Sequence, residues 1–77
     1  MTYMKLKFHE TDQILHFVKL MNDCNFDADI KCGHIVVDAK SLMGVMAVAA
    51  NKIVELVIHA NEENSQLITE KLVGFAA

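Results

Sequence analysis

The segment FDADIKCGHIVVD, residues 26–38, contains two alternating runs and a turn between them. In the first run the apolar side chains share one face: Phe26, Ala28, Ile30 and Cys32. The charged side chains share the other face: Asp27, Asp29 and Lys31. Gly33-His34 has the length and composition of a two-residue hairpin turn. The segment therefore predicts an antiparallel hairpin with one buried face.

Further strands and a helix are predicted on either side of this hairpin. TYMKLKF, residues 2–8, alternates in the same way, and IVELVIH, residues 53–59, has the composition of a later strand. Between the first strand and the hairpin we expect a helix capped by Thr11 or Asp12. Its buried stripe is predicted to be Ile14, Phe17, Val18 and Met21.

Two more helices complete the chain. Ser41 is well placed to cap a short apolar helix, and Asn61 opens a last helix with two acids in its first turn. The buried stripe of that last helix is predicted to be Leu67, Ile68, Leu72 and Phe75. The order βαββαβα predicts an α+β two-layer open-faced sandwich, with a four-stranded antiparallel sheet covered on one face by three helices. Residues 1–77 are expected to form a single domain.

The composition limits the kind of partner. The 77 residues are 53% hydrophobic, which is enough for a core without metal or disulfide bonds, and the formal net charge is -3. We therefore expect protein partners, and neither nucleic acid nor an anionic membrane. The first residues do not form an apolar run, and no stretch is long enough to cross a bilayer, so the expected location is the cytoplasm.

The cysteines and histidines do not form a recognisable metal or redox motif. Cys24 and Cys32 lack the spacing of a redox pair or a zinc site and are expected to be reduced, buried thiols. No metal and no cofactor are predicted, because metal-ligand spacing is absent among the four histidines. These are His9, His16, His34 and His59.

The second helix carries more apolar side chains than one core can accept from so short an element. They are Leu42, Met43, Val45, Met46 and Val48. An exposed patch rich in Met and Val is typical of a surface that binds a partner. The alternative is that neighbouring loops cover the patch.

Ser41 has two interpretations. As a helix N-cap, its oxygen accepts an amide hydrogen bond, which stabilises the helix by about 1 kcal/mol. As a phosphorylation site, it would place a phosphoryl group at the positive end of the helix dipole, beside the side chain of Lys40. On the residues alone, the capping role is sufficient.

His9 stands at the junction between the first strand and the first helix. A histidine at a helix N-terminus could accept a phosphoryl group, because the helix end attracts anions. It could equally have no chemical role. Glu10 and Asp12 place negative charge beside it, which opposes both a phosphate donor and the phosphorylated product. Without a nucleophile–base pair or a glycine-rich phosphate loop, a binding or regulatory module is favoured over an enzyme.

The run DAKSLMGVMAVAA, residues 38–50, resembles the serine segment of the histidine-containing phosphocarrier protein (HPr) family of the bacterial sugar phosphotransferase system. In that family a Lys-Ser pair is followed by Leu/Ile-Met-Gly-Val-Met, and residues 40–46 match it in order. The resemblance implies that an ATP-dependent HPr kinase phosphorylates Ser41. It also implies a docking surface for a catabolite-repression regulator and for phosphotransferase-system enzymes, formed by Lys40, Leu42, Met43, Val45 and Met46.

The family's other motif, Gly-Leu/Ile-His-Ala/Thr-Arg-Pro-Ala, is missing. The alignment places Glu10 in the histidine position, Asp12 in the arginine position and Gln13 in the proline position, while His9 falls one place early. In this the chain is similar to the catabolite-repression HPr paralogue, whose histidine is replaced while its serine remains. We therefore expect a regulatory protein that has lost carrier chemistry. The alternatives are an active phosphocarrier using His9, or a structural paralogue in which Ser41 is only a cap. The oligomeric state stays open.

Overall fold

Four strands and three helices follow one another in the predicted order in a computed structural model, which describes residues 1–77. The strands are β1 (Thr2–Lys7), β2 (Asp27–Cys32), β3 (Ile35–Asp38) and β4 (Ile53–His59). The helices are α1 (Thr11–Asn22), α2 (Leu42–Ala49) and α3 (Glu62–Lys71), and a 3-10 turn, Val73–Phe75, follows α3. The predicted element order is confirmed. None of the helices combines the length and the apolar content that a membrane span requires.

The strands form one antiparallel sheet in the order β1-β4-β2-β3. Leu6 lies opposite Val54, and Ile30 lies opposite Leu56. These four side chains are buried in the core beneath the helices. Successive side chains of a strand point to opposite faces of the sheet, so the charged alternates lie on the other face. The predicted two-layer open-faced sandwich is confirmed.

The hairpin between β2 and β3 has the predicted two-residue loop. Cys32 pairs with Ile35 across it. Gly33 has φ +61, a left-handed conformation that glycine adopts without the steric cost borne by other residues. The turn residues Gly33-His34 therefore set the register of the two strands.

Three phenylalanine rings hold the helices to the end of the sheet. The ring centroid of Phe8 lies 5.1 Å from that of Phe17 and 5.5 Å from that of Phe75. Beyond β1, Phe8 also forms a parallel bridge with Ala50, at the end of α2. The aromatic contacts and this bridge fix the β1–α1 junction against the C-terminal end of α2.

Two local predictions are wrong. The N-cap of α1 is Glu10, and the predicted caps Thr11 and Asp12 are already inside the helix. Leu67 is 59% exposed, whereas Ile68 and Leu72 are buried as predicted and Ser65 is buried in addition. Adjacent helix positions differ by about 100° around the axis, so Leu67 points away from the core that Ile68 enters. Phe75 is buried as predicted, but it belongs to the 3-10 turn.

Candidate functional site

Ser41 begins α2 as its N-cap, as predicted. Its backbone is extended, with φ -95 and ψ 108, and its Oγ accepts a 3.3 Å hydrogen bond from the amide of Gly44. The Ser41 carbonyl accepts a 3.0 Å hydrogen bond from the amide of Val45. The residue is exposed, so an enzyme can reach the hydroxyl that also stabilises the helix end.

Gly44 allows this helix end to lie close to β3. A Cβ at Gly44 would lie 3.3 Å from the Ser41 Oγ and 3.3 Å from the Cβ of Val37. Either the capping hydroxyl or the strand would have to move to accept such a side chain. The glycine therefore permits the observed position of the Ser41 hydroxyl.

Lys40 makes three hydrogen bonds within the protein. Its ammonium donates a 2.9 Å hydrogen bond to the carbonyl of Cys24, in the loop after α1. Its amide donates to Asp38 Oδ1 at 2.8 Å, and its carbonyl accepts from Asn22 Nδ2 at 3.0 Å. The pairing of the Lys40 side chain with a phosphoryl group on Ser41 stays a prediction; in the unphosphorylated chain the ammonium binds the loop after α1.

The exposed part of α2 is smaller than the sequence suggested. Met43 is 84% exposed and Met46 39%, while Leu42 is half-buried. Val45 is fully buried, and Val48 is 8% exposed. Val45 was predicted to contact a partner, but its side chain is buried and supports the surface from beneath. We refer to Leu42, Met43 and Met46 as the methionine surface.

His9 lies at a second site, the β1–α1 junction. A cleft of about 140 Å³ is formed there by Phe8, His9, Glu10, Thr11, Ile14, Ala50 and Asn51. His9 and Glu10 are both exposed. The only charged group among the lining residues, apart from the titratable imidazole, is the carboxylate of Glu10. A phosphoryl group in this cleft would therefore have no lining Lys or Arg to balance its charge.

Gln13 orders the junction. Its Oε1 accepts hydrogen bonds from the amides of His9 and Glu10, the latter at 3.3 Å. These two amides are consequently satisfied by the protein itself. At the other side of the cleft, Asn51 has φ 58, a left-handed conformation in which asparagine is enriched.

Helix α2 connects the two sites. Its eight residues span about 12 Å at ~1.5 Å per residue. Ser41 caps one end, and the bridge between Phe8 and Ala50 brings the other end to the His9 cleft. The methionine surface thus lies between Ser41 and the cleft at His9.

The remaining reactive groups have structural contacts. Cys24 and Cys32 are free thiols. Both were expected to be buried, and both are half-buried. Burial raises the pKa of Cys24, while Lys40 and Lys71 oppose the shift and Asp23 adds to it. The Cys24 Sγ donates to the Leu20 carbonyl at 3.3 Å. No three His, Cys, Asp or Glu side chains converge in a way that could hold a metal ion.

Sequence reasoning missed the three amide side chains that organise these sites. Gln13 stands three residues after Glu10, a spacing typical of a capping box, and this signal was available. Asn51 follows an apolar helix, where asparagine commonly ends the element. The Asn22 side-chain amide donates to the carbonyls of Val18 and Lys40. Lys40 is 18 residues from Asn22, and no local sequence pattern predicts that contact.

The fold is a two-layer α+β sandwich with a serine-capped second helix, and comparison with known proteins identifies the family. A family model described as the PTS HPr component phosphorylation site matches residues 11–77. The protein belongs to the HPr family, the phosphocarrier family of the sugar phosphotransferase system. The match begins at Thr11, after His9 and Glu10. Among curated proteins, none matches the chain significantly in sequence.

Solved structures of HPr proteins share the fold. HPr-C-His from Thermoanaerobacter tengcongensis is 18% identical with a TM-score of 0.74, over 96% of this chain and 92% of that one. The phosphocarrier protein HPr from Bacillus anthracis str. Ames is 18% identical with a TM-score of 0.75, over 99% of this chain and 96% of that one. At this identity, the similarity establishes the fold.

Proposed function

We propose that this chain is a regulatory member of the HPr family, in which Ser41 is the switch and histidine phosphotransfer has been lost. The observation that carries the proposal is the exposed Ser41 hydroxyl at the start of α2, next to Met43. A kinase would transfer the γ-phosphoryl group of ATP to the Ser41 Oγ, which loses its proton, and ADP would leave. The doubly charged group would then stand at the edge of the methionine surface.

The physics of the helix end supports this role. Ser41 already directs its Oγ to the amide of Gly44, and phosphate oxygens accept such hydrogen bonds readily. The helix dipole favours negative charge at this position by about 0.3–1 kcal/mol. Phosphorylation would therefore leave the fold intact and change the charge of the surface that meets a partner.

The partners proposed for this surface are those that the family resemblance implies. They are an HPr kinase, a catabolite-repression regulator and phosphotransferase-system enzymes, all met in the cytoplasm. Met43 and Met46 provide flexible apolar contacts of the kind that adaptable binding surfaces use. Lys40 would contribute indirectly, by holding the start of α2 to the loop after α1.

The loss of carrier chemistry is supported by the composition of the His9 cleft. Glu10 stands at the N-cap of α1, and Asp12 lies in its first turn. A transferred phosphoryl group would meet the Glu10 carboxylate in the cleft, and Asp12 adds a second negative charge in the adjacent first turn, where the family motif supplies an arginine. Gln13 already engages the amides of His9 and Glu10.

The second candidate is an active phosphocarrier that uses His9. It is favoured by one observation, the exposed position of His9 in a cleft beside the start of α1. In this case the phosphoryl group would pass from phosphoenolpyruvate through enzyme I to the imidazole of His9. A third possibility is a structural paralogue in which Ser41 only caps α2.

Treatment with an HPr kinase and ATP tests the proposal. We expect intact-mass analysis to show one added phosphoryl group that survives acid and is absent from Ser41→Ala. The matched control is Ser65→Ala, which alters a buried serine of α3 and leaves phosphorylation unchanged. No mass gain on the native chain, beside a phosphorylated HPr in the same tube, would contradict the proposal.

A further inference from the structure

The face of the sheet opposite the helices, here termed the open face, is divided into an acidic and a basic half. The strand pairings place its outward side chains in rows across the sheet. The first row contains His59 and Asp27, and the second row contains Tyr3, Val57, Asp29 and Asp38. The third row contains Lys5, Glu55, Lys31 and Val36, and the fourth row contains Lys7 and Ile53.

The formal charges of the two halves are opposite. The first two rows contain three aspartates and give a charge of -3 with His59 neutral. The last two rows contain three lysines and one glutamate and give +2. Within the acidic half, His59 Nε2 lies 2.8 Å from Asp29 Oδ2, which partly offsets the repulsion among the carboxylates when the ring is protonated.

Apolar side chains on this face also remain uncovered. Tyr3, Ile53 and Val36 are 57%, 59% and 53% exposed. Val57, between Tyr3 and Asp29 in the register, is 2% exposed. The open face thus combines apolar contacts with a charge gradient that runs along the strands.

We propose that the open face binds the open face of a second copy of this chain, forming a two-fold symmetric dimer. The two-fold axis lies in the plane of the face and runs across the strands, between the row of Val57 and the row of Glu55. Rotation about this axis places each acidic half on the basic half of the other copy. Lys31 then meets Asp29 of the second copy. Lys5 meets the ring of Tyr3 of the second copy, a favourable cation–π arrangement.

The charge pattern is the reason for choosing a second copy as the occupant. A uniformly acidic or uniformly basic partner would be repelled by one half of the open face, since like charges brought together are unfavourable. The face of a second copy, turned about this axis, is complementary in both halves at once. The inference does not depend on the role of Ser41.

The dimer is expected to be weak. Four strands about 4.8 Å apart and about six residues long at ~3.3 Å each give a face of about 400 Å². A standard interface buries about 800 Å² on each partner. We therefore expect a dissociation constant on the order of 100 μM, and we expect salt to weaken the dimer at least about tenfold.

Sedimentation velocity of the full chain tests the proposal. From about 10 μM to about 1 mM protein in about 20 mM salt, we expect a shift from monomer to dimer, which about 500 mM salt reverses. Lys31→Glu and Asp29→Lys should each remain monomeric. Their equimolar mixture should dimerise, because each copy then finds an opposite charge at both positions of the two-fold contact.

Controls separate this interface from general charge effects. Lys19→Glu and Asp23→Lys change charge on and just after α1, away from the sheet, and should dimerise like the native chain. Circular dichroism shows whether each variant is folded. The dependence of the native chain's dimerisation on salt tests the proposal without any substitution. A monomer at about 1 mM in low salt would overturn the proposal. A dimer that high salt, Lys31→Glu and Asp29→Lys all fail to weaken would also overturn the proposal.

Discussion

The ammonium of Lys40 donates a 2.9 Å hydrogen bond to the carbonyl of Cys24 and thereby fastens the start of α2 to the loop after α1. Lys40, the residue before Ser41, therefore holds the start of α2 in place. Asn22 adds a second link between the same two regions, through the Lys40 carbonyl. The position of Ser41 is fixed by these contacts before any partner binds.

Replacing Lys40 with Met should lower the free energy of unfolding by about 1 kcal/mol, because the Cys24 carbonyl loses its partner at a half-buried position. Urea denaturation measures the change. Lys52→Met, at an exposed position just after α2, is the matched control and should stay within about 0.5 kcal/mol of the native chain. Equal effects of the two substitutions would show that the Lys40 contact has no energetic role.

Ser41→Ala should cost about 1 kcal/mol, because the amide of Gly44 loses the Ser41 Oγ. Ser41→Asp should be at least as stable as the native chain, since aspartate also caps a helix and its charge favours the dipole. Asn61→Ala, at the N-cap of α3, gives the reference cost of losing a cap elsewhere in the chain. A Ser41→Ala variant as stable as the native chain would contradict the capping geometry.

Met43→Lys should leave stability within about 0.5 kcal/mol, because the side chain is 84% exposed. It should abolish binding of the regulator to the Ser41-phosphorylated chain, which calorimetry measures. Val45→Ala, two residues along the same helix but fully buried, should instead cost about 2 kcal/mol. Normal binding by Met43→Lys would remove the methionine surface from the proposed function.

Cys24 should make stability depend on alkaline pH. Burial raises the pKa of this thiol above its ordinary value of 9.0, so the folded state holds the proton more tightly than the unfolded state. The contribution to stability is complete below the unfolded pKa and is lost as the pH rises through the folded pKa. Cys24→Ala should therefore flatten the decline of stability above about pH 9, in urea titrations against pH. An unchanged slope would contradict the assignment, and Cys32→Ala serves as the comparison.

The element order could be predicted from the sequence because one face of the sheet is buried and the other is not. Alternation in β1 and β2 and helical spacing in α1 each follow from that single requirement. One prediction failed where two neighbouring apolar residues competed for one buried position. In α3 the sequence offers Leu67 and Ile68 at adjacent positions, and packing selects Ile68 together with the small Ser65.

The candidate site was predictable only in part. The cap at Ser41 follows from local chemistry, and the structure confirms it. The burial of Val45 could not be separated from the exposure of Met43, because α2 is apolar almost all round and its sequence carries no strong directional pattern. The Lys40 contact joins residues 16 positions apart, and only the packing of α1 beside α2 brings them together.

The loss of phosphotransfer through His9 is tested by intact-mass analysis after incubation with enzyme I and phosphoenolpyruvate, followed by acid treatment. A competent HPr in the same tube shows that the reagents are active. We expect no added mass on this chain, because the cleft at His9 presents Glu10 and no Lys or Arg to the incoming phosphoryl group. An added phosphoryl group that acid removes and that His9→Ala abolishes would contradict the account and make His9 a working phosphocarrier.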